Sequence, residues 1–174
     1  NLALGLGSAL GDRQLIQQAL RTGSVGLVLA LAISLLLGLG LPIEPDSPEL
    51  MQRTVVGPDA IALALASGAA AALSLTTGLS SVLVGVMVAV ALLPPTATVG
   101  LMLGAGEEVL AGRAALLLAI NVVSVNLAAK LVFLLRGIKP RTGSERRLAR
   151  QSMRTYLLVW AVTLAVLAAS ISLI

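Results

Sequence analysis

The stretch "SSVLVGVMVAVALLPPTATVGLML", residues 80–103, is apolar and long enough for a helix that crosses a membrane, yet two adjacent prolines interrupt it. Proline has no N–H and its ring clashes with the preceding turn, at a cost of about 3 kcal/mol inside a helix. The part before Pro94 corresponds to roughly 21 Å of helix and the part after Pro95 to roughly 15 Å. We therefore predict a helix that is broken near the middle of the membrane. The alternative is a proline kink that neighbouring helices pack tightly and that binds nothing.

The composition of the whole chain supports a membrane protein. Hydrophobic residues make up 57% of the 174 residues and charged residues 11%, a mixture that is not typical of a soluble globule. The absence of Cys and His in this sequence excludes disulfides, thiol nucleophiles, imidazole proton relays and most zinc geometries. We expect neither an enzyme nor a cofactor or metal site. The net charge of +4 comes from basic residues clustered between two apolar runs, which indicates membrane topology and not nucleic-acid binding.

Apolar runs divide the chain into a bundle of helices. Five of them are long enough to span a bilayer: Ser24–Pro42, Asp59–Leu75, Ser80–Leu103, Ala114–Leu135 and Thr155–Ile174. Residues 1–10 would add a half-length helix, with Gly11 as its stop and Asp12 as the cap of an amphipathic turn into the next span. Ser47 and Pro48 would open a short surface helix, and Pro58 the third span. The prediction is a single all-α, polytopic transmembrane domain over residues 1–174.

The distribution of basic residues predicts the orientation. Those on one side of the predicted spans are Arg13, Arg21, Arg136, Lys139, Arg141, Arg146, Arg147, Arg150 and Arg154, whereas the other side has only Arg53 and Arg113. Because cytoplasmic loops carry the excess of Lys and Arg, the first side is expected to be cytoplasmic. The basic loop 136–154 would then face the cytoplasm and contact anionic lipid headgroups, while loop 44–58 and the C-terminus face outward.

A weak internal repeat relates the two halves of the chain. A shift of about 95 positions aligns Gly5 with Gly100, Leu6 with Leu101, Gly11 with Gly106, Asp12 with Glu107, Leu15 with Leu110 and Ala19 with Ala114. The repeats would cover about residues 1–77 and 79–174. Because each would hold three helices, an odd number, the second would cross the membrane in the opposite direction. Inverted repeats of this kind are typical of secondary transporters.

Polar residues within the apolar runs are the candidate substrate or ion pathway. Near the prolines, unpaired backbone carbonyls and the hydroxyls of Thr96 and Thr98 would line a site. In the fifth span, Asn121 and Ser124 share one helix face, while Asn126 and Lys130 lie one turn apart on nearly the opposite face, which indicates a helix enclosed by protein. Lys130 would either reach toward the cytoplasmic interface or act as a site residue. Asn121 would bond a neighbouring helix or line a path. The full set of candidate residues is Pro94, Pro95, Thr96, Thr98, Asn121, Ser124, Asn126 and Lys130.

Small residues predict where helices approach each other closely. The relevant positions are Ala64, Gly68 and Ala72 in the third span, together with Gly5, Gly7, Gly85 and Ala89. The acidic residues fall at predicted helix ends or in loops, where capping and solvation account for them. An outer mouth that attracts cations is the alternative use of these carboxylates.

The sequence resembles a known family through three of its segments. "PELMQRT", "GLSSVLVGVMVAVALLPPTATVG" and "GLGSALGD" are similar to the bacterial and archaeal membrane family catalogued as domain of unknown function 389, over residues 1 to about 140. The resemblance implies a multi-pass protein of a prokaryotic plasma membrane. It also implies further N-terminal segments, a Pro-containing helix among them, before residue 1. It names no substrate and brings no catalytic residue.

Two classes of function follow. The first is passage of a small solute or ion, by a transporter or a channel, through a midplane site at the broken fourth helix. The second is a membrane anchor, oligomerisation or signalling module for a cytoplasmic domain, with a dry and fully packed interior. The expected partners are the lipid bilayer, an unknown solute or ion, anionic headgroups and a second copy of the chain, with no nucleic acid. An enzyme acting on lipids is disfavoured, because no His, Cys or buried carboxylate pair is present to act in it.

Overall fold

A computed structural model describes residues 13–78, 81–137 and 157–170. The described residues form helices and turns without strands. The helices are α1 (Arg13–Gly40), α2 (Pro48–Met51), α3 (Pro58–Thr76), α4 (Ser81–Gly104), α5 (Glu108–Leu135) and α6 (Leu157–Ser170). Within the described ranges, α1, α3, α4 and α5 are long and apolar enough to cross a membrane, and α6 is a shorter apolar helix. The all-α, membrane-type architecture is therefore confirmed.

The long helices match the predicted spans with two systematic differences. α5 begins at Glu108 and the described part of α1 covers Arg13–Gly40, so the polar segments expected as separate amphipathic turns lie within these two long helices. Neither segment contains a proline that would stop the helix. The ends of α3 and α4 lie within one residue of the prediction. The expected half-helix at residues 1–10, its stop at Gly11, its cap at Asp12 and loop residues 138–154 lie outside the described residues.

Prolines and glycines define the connections. Pro48 and Pro58 are the first residues of α2 and α3, as predicted, because a first-turn proline has no helical partner to lose. Ser47 occupies the cap position before α2, although its side chain makes no capping hydrogen bond. Gly106 (φ 81°) ends the turn after α4 in a left-handed conformation that glycine adopts without strain.

α1 and α4 are packed with their backbones in contact. A Cβ atom added at Gly100 would lie 2.8 Å from both the carbonyl oxygen of Leu31 and the backbone nitrogen of Leu35. One at Gly104 would lie 2.7 Å from the carbonyl carbon of Gly38. Ser34 and Gly38 on α1 thus face Gly100 and Gly104 on α4, two small-xxx-small pairs that allow the helices to approach this closely. Leucine-sized side chains at these positions would separate the helices.

α3 packs against α5 through the small-residue face predicted from the sequence. Ala64, Gly68 and Ala72 are buried, and a Cβ at Gly68 would lie 2.7 Å from the Cα of Val125. This prediction is confirmed. The corresponding prediction for Gly85 is wrong, because Gly85 is exposed and nothing lies within 4 Å of an added Cβ. Gly5 and Gly7 lie outside the described residues.

α5 is the central helix of the described bundle. Of its 18-residue apolar stretch 61% is buried by protein, compared with 11% in α1, as the polar residues on two of its faces predicted. A cluster that includes Ala72 of α3, Val84 of α4 and Phe133 of α5 forms the core at one end, where Leu157 of α6 also packs. The large apolar residues of α1 remain exposed, as expected for a surface in contact with lipid.

Candidate functional site

The two prolines do not break α4. The helix continues from Ser81 to Gly104 with Pro94 and Pro95 inside it, so the predicted unwinding is not observed. Pro95 is buried and Pro94 half-buried in α4, which packs against α1 and α5, and the peptide bonds of the described residues are trans. Because neighbouring protein encloses this part of α4, the helix tolerates the loss of two backbone donors. Because α4 stays helical, its backbone groups are not released to a ligand by unwinding.

Asn121 replaces a hydrogen bond that Pro95 cannot make. In a helix the N–H of residue 95 would donate to the carbonyl of Ala91, four residues earlier, but proline has no N–H. The Nδ2 of Asn121 on α5 donates to that carbonyl oxygen at 3.0 Å. Of the two functions predicted for Asn121, the structure shows bonding to a neighbouring helix. The released carbonyl is therefore satisfied by protein and does not need an ion.

Thr96 and Thr98 are directed to their own helix. Both are buried, and Thr96 Oγ1 donates to the carbonyl of Leu92 at 2.7 Å while Thr98 Oγ1 donates to that of Pro94 at 3.0 Å. Such i−4 bonds are the usual solution for a hydroxyl inside a membrane helix. The hydroxyls expected to line a site here thus have backbone partners.

Two polar side chains at the centre of α5 retain unpartnered atoms. Ser124 and Asn126 are 0% exposed. The Nδ2 of Asn126 donates to the carbonyl of Val122 at 2.9 Å, but its Oδ1 has no hydrogen-bond partner, and neither has Ser124 Oγ. An unsatisfied polar group in a protein interior costs about 1–3 kcal/mol. A hydrogen bond to water or to a ligand would therefore stabilise each of these two atoms.

Lys130 is buried on the face of α5 that carries Asn126. The side chain is 2% exposed, and its Nζ lies 5.3 Å from the ring centroid of Trp160 on α6. This geometry is a cation–π contact, in which the face of the indole stabilises the ammonium group. Of the two predictions for this residue, the structure favours a position inside the protein over an open route to the cytoplasmic interface.

The eight candidate residues therefore separate into two sets. The first set is Pro94, Pro95, Thr96, Thr98 and Asn121. Asn121 donates to the Ala91 carbonyl that Pro95 leaves without a donor, and both threonines donate to carbonyls of α4. Ser124, Asn126 and Lys130 lie further along α5 and keep unused hydrogen-bonding capacity or a buried charge. Trp160 is not among the residues predicted from the sequence to line a site. Its position near the start of an apolar run was visible, but the pairing with Lys130 depends on how α6 packs.

The carboxylates of the described residues lie outside this interior and are exposed. In the part of the chain that the structure describes, acidic residues occur in the connection before α3 and at helix starts: Glu44, Asp46, Glu49, Asp59, Glu107 and Glu108. No group of three or more His, Cys, Asp or Glu side chains among these described residues is arranged to hold a metal ion. The basic groups of α5, Arg113 near its start and Lys130 near its end, are thus the ionisable groups nearest the buried polar residues on that helix.

Comparison with known proteins agrees with this architecture. An uncharacterised protein of Methanocaldococcus jannaschii is 36% identical over 160 residues, which cover 92% of this chain and 50% of that protein, so the chain spans about half the length of this curated relative. No solved structure matches. The model of the family described as domain of unknown function (DUF389) matches residues 1–127, and this chain belongs to that family.

Proposed function

We propose that this domain passes a small solute or ion across the membrane, along the polar side chains at the centre of α5. The observation that carries the proposal is the pair of fully buried, unpartnered atoms, Ser124 Oγ and Asn126 Oδ1, on the most enclosed helix. Buried polar atoms without protein partners are costly, and in membrane proteins polar and ionisable groups facing the interior mark solute or ion pathways.

The mechanism differs from the one that a broken helix would provide. Since Asn121 satisfies the carbonyl released by Pro95, the solute would contact side chains of α5 and not the backbone of α4. The hydrogen bond from Asn121 to Ala91 holds α5 against α4. Asn126 and Lys130 supply polar contacts on one face of α5, and Ser124 supplies one on nearly the opposite face. The proposal assigns no covalent or acid–base step to these side chains.

An inverted repeat would provide the framework for alternating access. The shift of 95 positions found in the sequence places Arg13 of α1 opposite Glu108 of α5, so it superposes two long helices. If each of the helices α1, α3, α4 and α5 spans the bilayer, α1 and α5 run in opposite directions, as an inverted repeat requires. This correspondence of two long helices supports the repeat.

The remaining partners form part of the same proposal. The basic segment 136–154 faces the cytoplasm of a prokaryotic cell and contacts anionic headgroups, consistent with the excess of Lys and Arg on that side. The exposed apolar face of α1 contacts lipid or a second copy of the chain.

A membrane anchor without transport is the second candidate. The backbone contact of α1 with α4 and the satisfied carbonyl of Ala91 favour it, because both describe a dry and closely packed interior. In this alternative the helices hold a cytoplasmic domain, and the unpartnered atoms of α5 bond to another part of the same protein.

Cysteine accessibility separates the two candidates. The 174 residues contain no cysteine, so single cysteines at positions 94–98 and 119–130 report without background. A membrane-impermeant thiol reagent should modify Ser124→Cys and Asn126→Cys if water reaches the centre of α5. Uniform protection at all these positions would favour the anchor and contradict a pathway.

Two matched controls define the range of the scan. Leu131→Cys lies on the same helix at a 48% exposed apolar position and should be protected by lipid. Val55→Cys lies in the connection before α3, is 64% exposed and should react fully. Reaction of Leu131→Cys would indicate that the reagent enters through a disrupted bundle.

A further inference from the structure

The carboxamide of Asn126 has its nitrogen bonded and its oxygen unpartnered. The side chain is 0% exposed on α5, and its Nδ2 donates to the carbonyl oxygen of Val122 at 2.9 Å. This bond fixes the orientation of the amide group, so the atom that has no hydrogen-bond partner is Oδ1. An amide oxygen has lone pairs and no proton. The hydrogen-bonding partner that Oδ1 takes must therefore be an N–H or O–H donor.

Ser124 differs from the buried hydroxyls of α4. Thr96 and Thr98 each donate to the carbonyl oxygen four residues earlier in their own helix, at 2.7 and 3.0 Å. The same bond is open to Ser124 through the carbonyl of Ile120, yet its Oγ is 0% exposed and has no hydrogen-bond partner. A hydroxyl both donates and accepts, so Ser124 takes either kind of partner. Of the two unpartnered atoms, only Asn126 Oδ1 distinguishes a donor from an acceptor.

We infer that the solute passed by this domain carries N–H or O–H groups, and that Asn126 Oδ1 accepts a hydrogen bond from it. This inference rests on the proposed function, because it names the substrate class of the same pathway. A solute that has only acceptor groups leaves Oδ1 buried and unpaired, and sites that bond an N–H or O–H of a substrate reject analogues that lack it. Small amides and polyols belong to the accepted class.

The backbone around Asn126 is held on two sides. One residue earlier, Val125 lies against Gly68 of α3, where an added Cβ would be 2.7 Å from the Val125 Cα. Five residues earlier, Asn121 bonds to the Ala91 carbonyl of α4 at 3.0 Å. Rotation of α5 to bring Oδ1 to a protein donor would break one of these contacts. The donor is therefore supplied by a small molecule, which is either resident water or the passing solute.

Two small solutes without net charge test the inference. Urea carries N–H donors, whereas trimethylamine N-oxide has an acceptor oxygen and no donor. The purified chain is reconstituted in liposomes, and the entry of each solute after an osmotic step is followed by stopped-flow light scattering. Rates in protein-free liposomes are subtracted, because solutes also cross the lipid. Glycerol is a second donor solute, which separates hydrogen bonding from other properties of an amide.

We expect urea and glycerol to enter on the order of tenfold faster than trimethylamine N-oxide. Asn126→Leu should lower the urea rate by a factor on the order of five and remove the preference, whereas Asn126→Gln keeps the carboxamide and should retain it. Ser124→Ala should change the rates of donor and acceptor solutes alike, because the hydroxyl takes either partner. Thr163→Val should change neither rate, since this exposed hydroxyl on α6 donates to its own helix at Val159.

The outcomes distinguish this inference from the proposed function. Entry of trimethylamine N-oxide as fast as urea, or a preference that persists in Asn126→Leu, would overturn donor selection and leave the pathway intact; Oδ1 would then bond only resident water. Entry of potassium or chloride without urea or glycerol would have the same meaning. Absence of protein-dependent entry of all these probes would overturn the pathway and donor selection with it.

Discussion

Replacing Asn121 with leucine removes the donor that the Ala91 carbonyl has in place of the N–H missing at Pro95. Leucine has the same number and branching of side-chain heavy atoms, so the main loss is the hydrogen bond of 3.0 Å. A buried acceptor left without a partner costs about 1–3 kcal/mol, and hydrogen bonds between membrane helices contribute about 0.6–2 kcal/mol. We expect Asn121→Leu to lower the free energy of unfolding by about 1–2 kcal/mol.

The same substitution should cost much less when the helix supplies its own donor. In Pro95→Ala the restored N–H reaches the Ala91 carbonyl, so Asn121→Leu should then cost about 0–0.5 kcal/mol, a coupling of about 1 kcal/mol between two residues 26 positions apart. Reversible unfolding by sodium dodecyl sulfate in mixed micelles, followed by circular dichroism, measures all four proteins of this double-mutant cycle.

Asn126→Leu is the matched control. This residue lies on the same helix and its Nδ2 donates to its own helix at Val122, so its cost should not depend on residue 95. Equal costs of Asn121→Leu with proline or alanine at position 95, within about 0.3 kcal/mol, would show that Asn121 does not compensate for the proline.

Further substitutions test the packing of the helices by the same unfolding assay. Gly100→Ala places a methyl group against the backbone of α1 and should destabilise the fold by about 1–3 kcal/mol, whereas Gly85→Ala on the same helix meets open space and should be neutral or stabilise by up to about 1 kcal/mol. Gly68→Ala should destabilise the fold by about 1–3 kcal/mol through its contact with α5. Gly112→Ala should not destabilise it, because nothing lies within 4 Å of the added Cβ. Equal effects of the two substitutions would contradict the close contact of Gly68 with α5. Thr96→Val should cost less than about 1.5 kcal/mol, because the hydroxyl bonds only to its own helix, and a larger loss would indicate a second partner.

The positions of the membrane helices were predictable from the sequence because hydropathy and the residues that begin or end a helix depend only on neighbouring positions in the chain. Apolar runs, first-turn prolines and glycine stops located α3 and α4 to within one residue, and polar residues on two faces identified α5 as the enclosed helix. The effect of Pro94 and Pro95 was not predictable in the same way. Whether a helix breaks at a proline depends on the surrounding protein, and here the compensating donor, Asn121, comes from another helix.

The spacing of small residues predicted candidate packing surfaces on the helices but not which helix each surface contacts. The same four-residue spacing occurs at Gly68, at Gly85 and at Gly100, yet one of the three is exposed. The contact of α1 with α4 had a visible signal in Gly100 and Gly104, but the matching pair on α1, Ser34 and Gly38, is recognisable only once the helices are assembled. The position of Lys130 also depends on how the helices assemble, because the packing of α6 decided between its two predicted positions.

The contact between α1 and α4 also restricts how the domain can move. Helices that touch through large side chains can slide, because rotamers change as the surfaces pass each other, but the glycine Cα atoms and carbonyl groups here have no such freedom. α1 and α4 should therefore travel as one rigid body. A rearrangement could expose Lys130 first to one side of the membrane and then to the other. Its hinge would lie between α6 and α5, which contact each other through side chains, and not between α1 and α4, which contact each other through backbone.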